Sequence, residues 1–477
     1  MTRHFLWSGL LVVSNVVIAQ QPVDDRCFAD SGRALRTRLP ALMDSAMIPG
    51  IALAILDRGD VVWSGGFGVR DGDGRVSATR TVFEAASLSK PVIAYAALKL
   101  VDSGQLDLDR PLINYASYPE LNGDPRGQLI TPRMVLGHTT GLQNERHGSD
   151  SLHFSFDPGT RFQYSGEGYV LLGKAIEAIT GKALADAIRT LVFDPLAMTR
   201  SSFVWDSRFA DDAAVGHGPF GEPRKPTRPL FARAPSSLQT TVGDYARFLR
   251  AILDTAGLRP ATWQSMVTPA VDVVPGVGWA LGWAIEKDSV NPRLAHHGDN
   301  SDSGFTAFTL IDLPRQCGFV YFANSTNGLS ITREMAALVP GEHSGLALLN
   351  YAPYNAPSFI SRARIARALG SKGIDAALAE YQRLAAADSA ATPESVLNDL
   401  GYSLLNQGRI DDAIRAFRAN IAAYPESANV YDSIGDAYLA GSHRTAARDA
   451  YRRATELDST RLRARRLADS LNARLRH

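Results

Sequence analysis

The chain has 477 residues, of which 45% are hydrophobic and 21% charged. That is too long for one ordinary core, so two domains are expected, and the composition is that of a globular protein. Its 50 Lys and Arg stand against 49 Asp and Glu, a formal net charge of +1, which sets nucleic acid and acidic surfaces aside as expected partners.

At the N-terminus, MTRHFLWSGLLVVSNVVIAQQ opens with Arg3 and His4 and continues as an apolar run from Phe5 to Ala19. The run is short for a membrane span and ends in small residues, so residues 1–19 read as a cleaved export signal; the other reading is a retained anchor. No later segment reads as a stable membrane span. A periplasmic or secreted location follows. The chain has two cysteines, Cys27 and Cys317. In an oxidising compartment they can pair across a long loop, but each can equally pack as a small hydrophobe, and the sequence leaves both readings open.

Residues 51–71, IALAILDRGDVVWSGGFGVRD, read as two strands around an Asp-Arg-Gly-Asp turn. VIAYAALKLVDSG (92–104) has apolar residues at helical spacing and a glycine stop. GFTAFTLIDLPRQCGFVYFANS (304–325) reads as a second hairpin, with Pro314 and Gly318 beside its turn. Hairpins at both ends predict one antiparallel sheet built from the two ends of a domain whose middle is helical and loop-rich, an α+β fold over residues 20–340. Residues 341–358 read as a linker, in a stretch that carries three prolines counted from Pro340.

From residue 359 the texture becomes helical. LNDLGYSLLNQGRIDDAIRAFRANIAAYPES (397–427) overlays YDSIGDAYLAGSHRTAARDAYRRATELDST (431–460), so that Gly401 falls on Gly435, Leu405 on Leu439, Ala413 on Ala447 and Phe417 on Tyr451. Each step is 34 residues, the tetratricopeptide period. IDAALAEYQRL (374–384) echoes IDDAIRAFRAN (410–420) at a step of 36, and the Arg-rich end reads as a solvated capping helix. Residues 359–477 thus resemble a short tetratricopeptide array, a platform for a protein partner.

The chemistry begins at FEAASLSKPV (83–92). On a helix starting at Ser87, Lys90 lies one turn on and on the same face. Pro91 supports a helix start, since first-turn N–H groups lack intrahelical partners. A lysine in a shielded pocket loses its proton near neutral pH, because desolvation disfavours the ammonium, and the free amine can take the proton of the serine hydroxyl. A bare S-x-x-K is weak by itself. Two further stretches strengthen it: RFQYSGEGYVLLG (161–173) puts Tyr164 in a polar turn before a helix, and HHGDNSDSGFTAF (296–308) puts His296 and Gly298 ahead of a strand.

In this order, Ser87-Leu-Ser-Lys90, Tyr164-Ser165-Gly166 and His296-His297-Gly298 resemble the three motifs of the penicillin-recognising serine hydrolases, a group that includes class C β-lactamases, D,D-carboxypeptidases, D-aminopeptidases and esterases. LGHTTGL (136–142) and SLQTTVGDYARF (237–248) resemble the same group, and the likeness covers roughly residues 35–340. It implies a β-lactamase/transpeptidase-like sheet flanked by helices. It also implies that Ser87 is the acylated nucleophile, Lys90 its base and Tyr164 the proton carrier. The N–H groups of Ser87 and Asp299 would form an oxyanion hole, and His296 would orient a substrate carboxylate or hydrogen-bond near Tyr164. Gly166 stands where an asparagine is common and His296 where β-lactamases carry lysine. Both point to a peptidase or esterase more than an efficient β-lactamase. Adjacent strand residues face opposite ways, so His296 and His297 do not make a metal site, and no cofactor motif is present. The rival reading is a catalytically weak module that serves as a scaffold through its helical repeats.

Overall fold

The computed structural model describes residues 31–474 and Cys27, apart from residues 73, 147–150, 256, 288–291, 340–342 and 344–350. The expected export signal and much of the expected linker lie outside the described residues. In chain order the strands are β1 (Gly50–Asp57), β2 (Asp60–Gly68), β3 (Phe83–Glu84), β4 (Gln239–Thr240), β5 (Val271–Val274), β6 (Val277–Trp279), β7 (Ala284–Glu286), β8 (Arg293–Asn300), β9 (Phe305–Asp312) and β10 (Cys317–Ala323). The helices are α1 (Ser31–Ser45), α2 (Ser89–Asp102), α3 (Pro132–Leu136), α4 (Gly166–Thr180), α5 (Leu184–Ile188), α6 (Val242–Leu253), α7 (Pro260–Met266), α8 (Thr332–Ala336), α9 (Pro357–Ala387), α10 (Glu394–Asn406), α11 (Ile410–Ala423), α12 (Ala428–Ala440), α13 (Arg444–Leu457) and α14 (Leu462–Arg474).

Eight strands form one antiparallel sheet in the order β2-β1-β10-β9-β8-β7-β6-β5. Both hairpins form, and β1 pairs with β10 from Ile51 opposite Ala323 to Leu56 opposite Gly318, so the two ends of the domain meet in one sheet as expected. Every residue of β1 is buried because both sheet faces are covered. Ala52, Ala54 and Leu56 enter the core under α2 and α6, while Ile51, Leu53 and Ile55 enter a second core with α1 and α8. This is the period-two alternation of a strand, spent here on two apolar layers. Strands β5 to β7 lie in the stretch read as helical and loop-rich. They are three or four residues long, too short for a periodic signal. His296 and Gly298 also lie within β8, not ahead of a strand.

Cys27 and Cys317 are joined in a disulfide with Cα atoms 6.4 Å apart, tying the segment before α1 to the first residue of β10.

The helical region begins with α9, which Gly373 (φ 78°, ψ −170°) divides into two helices. The pairs α10/α11 and α12/α13 follow, and α14 packs on α13. A Cβ on Gly401 would come within 2.4 Å of the Phe417 ring, and one on Gly435 within 2.6 Å of the Tyr451 ring. Each glycine therefore lets an aromatic side chain of its partner helix lie against bare backbone. Apolar packing helps anchor this region to the sheet domain. Phe359, in the first turn of α9, is buried in the core with α1 and α8, and Phe220 of the sheet domain packs against the helical core.

Candidate active site

Ser87 sits in a 3-10 turn, Ala86–Leu88, that runs directly into α2. The α-helix proper starts two residues later than a start at Ser87 would place it, with Lys90 and Pro91 in its first turn. Ala86 has φ +50°, a left-handed conformation that is costly for a residue with a Cβ. The turn thus holds strain at the residue just before the serine.

Lys90 is 2% exposed. Its Nζ lies 2.9 Å from Ser87 Oγ and donates to the Pro235 carbonyl at 3.1 Å. Burial is the main reason its pKa falls to about 7; Glu145 opposes the shift and Arg233 adds to it. Half of such amines are free near neutral pH, so Lys90 can accept the hydroxyl proton. Lys90 Nζ also lies 4.7 Å from the centroid of the Tyr164 ring, too close to an apolar face to be well hydrated.

Burial pushes the Tyr164 phenol well above the ordinary tyrosine value, against the opposing pull of the neighbouring Ser87 hydroxyl. It therefore stays protonated at neutral pH. Its segment is fixed by LGHTTGL. Buried His138 stacks on the Tyr164 ring at 4.2 Å, accepts the Ser165 N–H at Nδ1 (3.0 Å), and its carbonyl accepts the Gln163 N–H (2.8 Å). Ser165 caps α4 by accepting the Gly168 N–H at 3.1 Å. Gly166 donates to the Asn144 side chain at 2.9 Å, so an amide on the cleft wall stands beside the position where the motif lacks asparagine.

Strand β8 forms the opposite wall. Its pairing with β7 stops at Ala295, so residues 296 to 300 present an unpaired edge on that side. A Cβ on Gly298 would lie 2.5 Å from the Ala85 carbonyl and 3.2 Å from the Ser87 nitrogen. Only glycine lets the strand backbone come this close to the serine turn. His296 and His297 point to opposite sides, as neighbours on a strand must. His296 is 2% exposed, packs against Trp279 and Trp283, and has Nδ1 2.8 Å from the His297 carbonyl. His297 and Asp299 line the cleft. Burial lowers both imidazoles, His297 to about 4, so both are neutral near pH 7.

The structure thus gathers Ser87, Lys90 and Tyr164, with Lys90 touching Ser87 and lying over the Tyr164 ring, and lays Gly298 and Asp299 alongside, around a cleft of about 760 Å³. His296 lies behind the cleft, with its ring 6.2 Å from that of Tyr164. It is His297 that faces the cleft. Sequence reasoning missed His297, Pro235, Asn144 and Tyr351. Asn144 was findable as an amide two residues after LGHTTGL. Tyr351, from the segment before α9, carries no local signal.

A family model described as Beta-lactamase matches residues 35–340. Penicillin-binding protein 4 of Amycolatopsis lactamdurans is 27% identical over 296 residues, covering 55% of this chain and 77% of that protein. Protein flp of Staphylococcus aureus (strain MRSA252) is 25% identical over 323 residues, covering 62% of this chain and 63% of its own length. The match therefore spans less than two thirds of that relative. Among solved structures, the octameric penicillin-binding protein homologue from Pyrococcus abyssi superposes with TM-score 0.57 at 25% identity, covering 71% of this chain and 82% of that one. D-alanine carboxypeptidase AmpC from Burkholderia cenocepacia shares the fold with TM-score 0.55 at 19% identity, over 65% of this chain and 99% of that one. With nearly two thirds of its length matched by the family model and the three motifs gathered at one cleft, the chain belongs to the beta-lactamase family of serine hydrolases and acyltransferases.

Proposed function

We propose that this chain is an exported serine hydrolase that works through an acyl-enzyme on a small amide or ester, with peptides and esters preferred over β-lactams. The observation that carries the reading is the 2.9 Å contact between Ser87 Oγ and the Nζ of Lys90, an amine lowered to about 7. Neutral Lys90 takes the hydroxyl proton as Oγ attacks the substrate carbonyl. The developing oxyanion sits between the N–H groups of Ser87 and Asp299. Collapse of the intermediate expels the amine or alcohol, which takes a proton passed through Tyr164. Water then attacks the acyl-enzyme, gives its proton to the same relay, and releases the acid and free Ser87.

Two features support the preference for peptides or esters. Buried His296 is neutral and offers no cation to a substrate carboxylate, and Gly166 supplies no amide of its own. The disulfide supports export to an oxidising compartment. The glycine-against-aromatic contacts repeated at 34 residues support a tetratricopeptide array over the helical region, which would bind a protein or peptide. Labelling with a fluorophosphonate probe tests the enzyme reading: the wild type is labelled and Ser87→Ala is not. An unlabelled wild type contradicts it.

A further inference from the structure

The charges around the cleft do not suit the substrates for which a lysine on the β8 wall would be useful. Four carboxylates line it: Glu84, Glu145, Asp299 and Asp302. Against them stand Arg233 and Lys90, and Lys90 must be neutral to act as a base. The imbalance is concentrated on the β8 wall, where Asp299 and Asp302 face the cleft with no cation beside them among the described lining residues. Arg233 lies on the other wall, two residues from the Pro235 carbonyl that holds Lys90.

Asp299 is also held in place. Its Oδ2 accepts a hydrogen bond from the Tyr351 hydroxyl and its Oδ1 one from Ser301 at 2.5 Å. Both contacts are donors to the carboxylate, and neither neutralises it. The Tyr351 ring also meets the His297 ring edge to face, with centroids 6.5 Å apart. Asp299 directly follows Gly298, whose backbone lies against the serine turn, so its carboxylate is carried into the same cleft by the strand that borders the nucleophile. The wall therefore offers a fixed carboxylate, a second one three residues on, and an aromatic face. A partly buried carboxylate in such a place repels an acid and attracts a cation, and an aromatic face adds to the attraction for an ammonium.

We infer that the Asp299–Tyr351 pair makes this cleft selective for acyl donors carrying a cationic, ammonium-type group and adverse to those carrying a carboxylate. The inference rests on the acyl-enzyme reading and names the substrate class of that same site. It makes Asp299 a specificity determinant through its side chain, apart from any role of its backbone. It makes Tyr351 a positioning residue supplied by the segment that leads into the helical region, so the attachment of that region forms part of the cleft wall.

Three p-nitrophenyl esters of matched size, with acyl chains ending in trimethylammonium, tert-butyl or carboxylate, test the inference on the full chain. The fixed charges keep pH out of the comparison. The expected order of kcat/KM is cationic, neutral, anionic, with the cation-to-anion ratio at least about tenfold and shrinking as salt is raised. Asp299→Asn lowers that ratio about tenfold or more. Asp302→Asn lowers it less, and Tyr351→Phe lowers it least, because the carboxylate stays but is less firmly held. Equal rates for the three esters, a preference for the anion, or a ratio unmoved by Asp299→Asn overturns the inference. Turnover of the neutral ester that is lost in Ser87→Ala shows separately that the acyl-enzyme reading stands. If no ester acylates Ser87, that reading fails first and this one with it.

Discussion

Gly298 in the sheet domain and Gly401 in the helical region are both pressed by a neighbour, yet they serve different ends. A Cβ on Gly298 would strike the Ala85 carbonyl at 2.5 Å, and one on Gly401 would strike the Phe417 ring at 2.4 Å. The first obstacle is backbone, locked between a paired strand and the turn of Ser87. The second is a side chain, and the helices on either side of it can separate slightly. The same device therefore sets catalytic geometry in one region and packing density in the other. Changes in the sheet domain should be read in rate, and changes in the helical region in stability.

The largest effect that would sharpen this contrast is at the base. Lys90→Ala is expected to abolish acylation of Ser87, a fall of about 10³-fold or more in kcat/KM, the scale of losing the group that activates a nucleophile. Stopped-flow acylation measures it, and circular dichroism should show the fold retained. Gly298→Ala comes next. The added methyl must push β8 off the serine turn, and a displacement near 1 Å at an active site costs about a hundredfold. If acylation survives Gly298→Ala unchanged, the contrast between the two glycines breaks.

Tyr164→Phe keeps the ring on His138 and Lys90 and removes the proton carrier, so turnover should slow by on the order of a hundredfold while the protein stays as stable as before. Gly401→Ala is the opposite case. It should lower stability by about 1–3 kcal/mol, the scale of overpacking a tight contact, and leave the acylation rate where it was. Thermal unfolding followed alongside acylation would show both. Loss of activity at constant stability in Gly401→Ala would mean that the two regions are coupled more tightly than their packing implies.

How much of this was legible in the sequence depends on how local each feature is. Ser87 and Lys90 are one helical turn apart, and the 34-residue step of the helical pairs repeats its own small and aromatic positions, so both could be read from spacing. The hairpins β1–β2 and β9–β10 were legible because the residues flanking their turns are unambiguous. Strands β5 to β7 were not, because three or four residues carry no period. The facing of the two histidines needed the register of β8 against β9, since a shift of one residue exchanges which of them meets the cleft. Tyr351 reaches Asp299 across 52 residues, and nothing near it in sequence marks it as part of a site.

The central claim is that a buried amine, half of which is uncharged near neutral pH, activates Ser87. It is tested most directly by the second-order rate of Ser87 acylation by a neutral ester between pH 5 and pH 9. Protonated Lys90 cannot accept the hydroxyl proton, so the rate should rise about tenfold per pH unit below the pKa and level off above about 7. A flat profile, a fall with rising pH, or a rise still continuing at pH 9 would contradict the account.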